Sequence, residues 1–118
     1  MVDRNELGRR GETFAVEYLR AGGYRVIDRN WRCESGEIDI VAERNGETAF
    51  VEVKTRSGLG YGHPFAAISP AKLERMRRLA MLWCDASPRP VSRIRLDVIG
   101  IVWPAGSPPR LEHLERLG

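Results

Sequence analysis

The sequence predicts an α/β fold, a mixed sheet with flanking helices in the order α-β-β-β-α-β. Three observations carry that reading. Residues 6–21 show the apolar period of an amphipathic helix, three β-branched and aromatic runs follow between residues 24 and 55, and a second helical period separates these from a fourth run. At 118 residues the chain has the size of one domain, 1–118, since roughly 50–200 residues is usual for a single core.

In the first helix Leu7, Gly11, Phe14, Ala15, Tyr18 and Leu19 share one face, and Gly22-Gly23 stop it. The strand runs are residues 24–30, 37–43 and 48–55, punctuated by Ser35-Gly36 and Asn45-Gly46. Residues 57–64, SGLGYGHP, are glycine-rich and belong in a loop. Ser69-Pro70 then supplies an N-cap and a proline at the first helical position, opening a second helix that runs to Asp85. Its apolar face is Leu73, Met76, Leu79, Ala80 and Trp83, and its outer face carries Lys72, Arg75 and Arg78. After an SPRP turn, Ile94–Trp103 reads as a buried strand, and Leu111–Leu117 as a short element whose type the pattern leaves open. The second helix serves as a right-handed crossover between the third and fourth strands.

Composition excludes several classes. With 42% hydrophobic and 30% charged residues the chain lies outside the disordered regime. Its longest apolar stretch, Val98–Trp103, is far short of the roughly 20 residues of a membrane span, and the charged N-terminus lacks a secretory segment, so a cytoplasmic location is expected. Cys33 and Cys84 match no zinc spacing and read as idle thiols. The net charge of +3 argues only weakly for nucleic acid, although 17 of the 19 cations are arginines, whose forks suit phosphate. His63 and His113 stand apart and read as surface or loop residues, Trp31, Trp83 and Trp103 as core or sheet-edge aromatics.

The chemistry concentrates in a hairpin. Asn45-Gly46 suits a two-residue type I′ turn, and pairing Arg44 with Glu47 sets Asp39 against Glu52, Glu37 against Lys54 and Val41 against Phe50 on one face. Two carboxylates are thereby forced together. Directly opposed like charges destabilise a sheet, and a divalent cation such as Mg²⁺, which takes one or two carboxylates and keeps waters for a phosphate to displace, would compensate. Lys54 would point to the same face, its ammonium placed to orient a water or stabilise charge on phosphorus. Hairpin periodicity leaves open a solvated face on which Glu37 and Lys54 simply pair.

The series Glu12, Ser35-Gly36-Glu37-Ile38-Asp39-Ile40-Val41, Phe50-Val51-Glu52-Val53-Lys54-Thr55-Arg56 and Arg95-Leu96-Asp97-Val98 resembles the YraN family of small bacterial endonuclease-like proteins over nearly the whole chain. Asp39 with Glu52-Val53-Lys54 is also similar to the PD-(D/E)xK nuclease superfamily, and the early-helix Glu with a Ser-Gly loop to archaeal Holliday-junction resolvases. One departure is Ile38, where the superfamily expects a strand-turning Pro. The resemblance implies a restriction-endonuclease-like sheet and metal-dependent hydrolysis of DNA, branched or flapped DNA included, with Mg²⁺ or Mn²⁺ as cofactor. On it, Asp39, Glu52 and the Val53 carbonyl are metal ligands, Lys54 is the catalytic base or charge stabiliser, and Glu12 is the helix-borne acid. Ser35 would touch a phosphate, Arg56, Lys72, Arg75 and Arg78 would border the DNA backbone, and Asp97 would be structural. A homodimer would suit branched DNA. The alternative is a nuclease fold that binds DNA or a protein without cutting. A glycosidase is disfavoured, because the lysine has no role in that chemistry.

Overall fold

The computed structural model describes residues 4–60, 62–91 and 93–118. Its elements are α1 (Arg4–Ala21), β1 (Arg25–Cys33), β2 (Gly36–Arg44), β3 (Glu47–Arg56), a 3-10 turn (Pro64–Ala67), α2 (Pro70–Ala86), β4 (Ile94–Val102) and β5 (Arg110–Leu117). The expected α-β-β-β-α-β order is present, and the final segment of open type is a fifth strand. Sheet order follows chain order, with every neighbouring pair antiparallel except β3 and β4, which α2 joins as a parallel crossover. Among the described residues no helix is long and apolar enough to cross a membrane.

Alternation along the strands divides the core between the two helices. On one face Ala15, Val16 and Leu19 of α1 pack on Ile40, Ala42, Val51, Ile99 and Ile101. On the other, Met76, Leu79, Ala80 and Trp83 of α2 pack on Val41, Phe50, Leu96 and Val98. Local signals read from sequence operate as expected at two points: Asn45 and Gly46 take φ of 52° and 78° in the hairpin turn, and the Ser69 hydroxyl accepts from the Lys72 N–H at 3.1 Å.

A charged network pins β5 to the sheet. Asp97, with no exposed surface, accepts from Arg95 Nη2 at 2.6 Å and from the Arg116 N–H at 3.2 Å, and its Oδ2 lies 2.7 Å from His113 Nε2. Arg95 also reaches Tyr24 Oη at 2.6 Å, Glu115 at 2.9 Å and Glu47 at 3.3 Å. Burial alone would push Asp97 up, but His113, Arg95 and the Arg116 N–H hold its carboxyl below the ordinary carboxylate value. One expectation is corrected here. His113 is not a surface residue, its side chain being only 6% exposed, because it fills the hydrogen-bonding capacity of a buried carboxylate. Tyr18 is 40% exposed at the rim of α1, where its hydroxyl lies 3.0 Å from His113 Nδ1.

Asp97→Asn should therefore destabilise the protein by about 3–5 kcal/mol at pH 7, since it leaves Arg95 buried without its counter-charge. Because the folded-state pKa is depressed, this contribution is present above the ordinary value of 3.8 and lost as pH falls through the folded value, so the gap between variant and wild type should close in acid. Urea melts at pH 7 and in acid well below the ordinary value of 3.8 measure both.

Candidate metal centre

The β2–β3 hairpin has the register read from the turn, Arg44 facing Glu47 and Val41 facing Phe50. The ladder ends at Ile40 and Val51, one pair short of Asp39 and Glu52. There the Val53 N–H donates to Asp39 Oδ2 at 2.8 Å, so a carboxylate takes over where strand pairing stops. Asp39 and Glu52 border one small cleft together with Glu37, Phe50 and Leu79. Both acids border this cleft, but the directly opposed pair on one face that the hairpin arithmetic gave is not part of the ladder, which stops one pair before them.

Strict alternation does not hold through β2. Ile38 packs on the α2 side and Ile40 on the α1 side, although two residues apart they should share a face. The cause stands opposite: Asn30, between the pairs Arg29–Ile40 and Trp31–Ile38 of β1, has φ of 51° and turns the ladder over at Asp39. Asp39 is consequently within electrostatic reach of Glu12 on α1 and of Glu52, which faces α2.

The closest acid cluster is Glu12, Glu37 and Asp39, each offering a carboxylate oxygen within 4.8 Å of the others. Asn30, its amide oriented by its acceptors, donates to Glu12 Oε1 at 2.8 Å and Glu37 Oε1 at 3.1 Å. Gly11 brings α1 this deep, since a Cβ there would lie 1.9 Å from Thr55 Oγ1. Burial, then the nearby charges of Glu12, Glu52 and Glu37, pushes Asp39 up to about 7 against the Val53 hydrogen bond. Glu12 is also raised, by burial and then by Glu37. Crowded hard oxygens, among which the carboxyls of Asp39 and Glu12 resist ionisation, are a donor set suited to Mg²⁺ or Mn²⁺.

The other site residues fall at varying distance from this cluster. Glu52 Oε2 is 2.7 Å from Lys72 Nζ, so the ammonium expected at the DNA backbone sits on an acid expected at the metal. Lys54 is half-buried and makes no ion pair among the described residues. Its expected partner Glu37 instead binds Arg32 Nε at 3.0 Å, because the β2–β3 ladder has already ended and the β1–β2 ladder has not. Val53 presents its N–H to the site. Ser35 is exposed in the β1–β2 turn, and Arg75 and Arg78 are exposed on α2. Arg56 ends β3 with a buried Nε that finds no acceptor. Glu37 and Asn30 were missed as members of the cluster. The available signal was an asparagine inside a strand run, a residue type tolerant of the left-handed conformation.

A mixed sheet held between two helices, with an acid cluster where the central hairpin opens, defines the class. Residues 11–101 match the model of the uncharacterised protein family UPF0102, and the chain belongs to this family, the YraN family of the sequence resemblance. It is similar to UPF0102 proteins of Clavibacter michiganensis subsp. michiganensis, 51% identical over 112 residues and 95% of each chain, and of Renibacterium salmoninarum, 50% identical over the full length of both. A third, from Arthrobacter sp., is 48% identical over 118 residues.

Asp39→Asn tests the crowding. Folded Asp39 holds its proton to about 7 while the unfolded chain releases it near 3.8, so this group's contribution to the stability of metal-free protein falls as pH rises between those values. Asparagine keeps the acceptor for Val53 and removes the charge. In chelator, the variant should be more stable than wild type by about 1–3 kcal/mol at pH 8, with little difference at pH 4. Calorimetry should show Mn²⁺ binding at least about tenfold weaker. Strong destabilisation with unchanged Mn²⁺ affinity would make Asp39 a structural residue.

Proposed function

We propose that the protein is a metal-dependent endonuclease that hydrolyses phosphodiester bonds in DNA. The observation that supports this most is the convergence of Glu12, Glu37 and Asp39 within 4.8 Å, with Glu52 bordering the same cleft and Lys54 two residues along the same strand. Asp39 and Glu52 would hold Mg²⁺ or Mn²⁺ with the Val53 carbonyl, and Glu12 would reach the same ion from α1. When bound, the ion supplies Lewis-acid charge and lowers the pKa of a water. Lys54, which no acid engages among the described residues, is available to donate to a phosphate oxygen as negative charge grows there, or to orient the attacking water. The exposed Arg75 and Arg78 would hold backbone phosphates, as bidentate donors do.

A second reading, binding of DNA or a protein without cleavage, is favoured by one contact, the Lys72–Glu52 ion pair that occupies an expected metal ligand. The two separate in one experiment on duplex, flap and four-way DNA with Mg²⁺ and Mn²⁺. A nuclease should cut at least one substrate, and Lys54→Ala should abolish single-turnover cleavage while leaving DNA affinity within a few-fold, because an interaction made in the transition state acts on turnover. Binding without cleavage of all three DNAs, with Lys54→Ala altering affinity alone, would establish the second reading.

A further inference from the structure

We propose that a cleft at the C-terminal ends of β3 and β4 receives an unpaired nucleobase of the DNA held at the acid cluster, an inference that rests on the nuclease reading. The cleft has a volume of about 560 Å³ and is bounded chiefly by Leu59, Val102, Pro104, Pro108, Pro109 and Arg110. Its floor residue Val102 lies on the strand face that carries Glu52 and Lys54. In the parallel ladder Glu52 faces Val98, Lys54 faces Gly100 and Arg56 faces Val102, and side chains two residues apart along a strand share a face. Along that face from the acids β3 carries Glu52, Lys54 and Arg56 in order, with Phe65 and Pro64 of the 3-10 turn seated on Gly100 beside Lys54 and the cleft beyond them. The step from Lys54 to Arg56 is about 7 Å of strand, the scale of one nucleotide.

The cross-strand row at the cleft has an apolar centre and cationic ends. Val102 is paired on one side with Arg56 and on the other with Arg110. Neither arginine is engaged by an acid among the described residues, and the Arg56 Nε is buried without an acceptor. Several other arginines of this sheet are held by acids: Arg95 by Asp97, Arg25 by Glu43, Arg32 by Glu37. Two uncompensated guanidinium groups either side of an apolar floor match a nucleotide, whose base is flat and weakly polar on its faces while both flanking phosphates are anionic. Leu59, 61% exposed between Gly58 and Gly60, overhangs the floor from a backbone with open space around both glycines, so it can close on a planar guest. An apolar peptide would fill the floor and leave both arginines without anions.

A base inside a duplex reaches such a cleft only by losing its stacking and pairing, a cost that is least for a base already unpaired. The cleft therefore selects flaps, forks and branch points over continuous duplex, with the junction placed at the acids.

Binding measured in Ca²⁺, without cleavage, tests this with a fork carrying 2-aminopurine in its unpaired arm and a duplex of equal length. Wild type should bind the fork about tenfold more tightly, with a change in 2-aminopurine emission. Leu59→Ser should reduce fork affinity to the wild-type duplex value, and Arg110→Ala should lower the salt slope by about one unit. Equal affinity for fork and duplex, or an equal loss on both from Leu59→Ser, overturns the cleft. A parallel arm in Mg²⁺ separates the two claims: fork preference without cleavage supports the cleft and overturns the nuclease reading, whereas cleavage without fork preference overturns the cleft and leaves that reading standing.

Discussion

Strand pairing in the β2–β3 hairpin stops at Ile40 and Val51, and the next backbone donor of β3 at that edge, the Val53 N–H, is satisfied by the Asp39 carboxylate. A buried N–H needs an acceptor, and this acceptor carries a charge when ionised. The hydrogen bond thus fixes an acid at the place where two strands part, with Glu52 next to it on β3 and Glu12 above it on α1. Had the ladder continued one pair further, Asp39 would have been an ordinary strand residue with its side chain directed to a single face. The parting of the strands gives it access to both.

Asp39 and Asp97 occupy the same sheet and illustrate how environment divides one residue type into two tasks. Asp97 is surrounded by donors, the Arg95 guanidinium, His113 and the Arg116 N–H, and its ionised form is favoured despite complete burial. Asp39 has one donor and three acids around it, and its ionised form is disfavoured. A saturated carboxylate serves to bind chain segments together. An under-satisfied one stores a demand for positive charge, which the fold itself leaves unmet.

The parts of this arrangement that depend on neighbours in sequence were legible there. Asn45-Gly46 fixed the hairpin register, and Ser69-Pro70 the start of α2, because turn and cap chemistry act over a few residues. β5 was not legible, for a physical reason: Leu111, Leu114 and Leu117 are spaced by three, a helical interval. Strand pairing accommodates it through an irregularity, since Val98 faces Leu114 while Leu96 faces Leu117, and Arg116 takes φ of 56° to absorb the extra residue. At the acid cluster the same kind of irregularity hid Glu37 and Asn30. The left-handed Asn30 reverses the facing of β2, and a period of two carried through it assigns Glu37 to the wrong partner. The Lys72–Glu52 pair depends on where α2 comes to rest, which no local pattern encodes.

The approach of α1 to β3 has a consequence for how the sequence can drift. A methyl group on Gly11 would overlap Thr55 Oγ1 at 1.9 Å and crowd Thr55 Cβ at 2.9 Å, so the helix and the strand share one volume that a single side chain already fills. Interiors packed to crystal-like density offer no slack to absorb the difference. Enlargement at position 11 requires shrinkage at position 55, and the reverse substitution order passes through a cavity instead of a collision. The tolerated path through sequence space is therefore directional: position 55 must lose bulk before position 11 can gain it, and a lineage that takes the steps in the other order lifts α1, with Glu12 on it, away from the acids it faces.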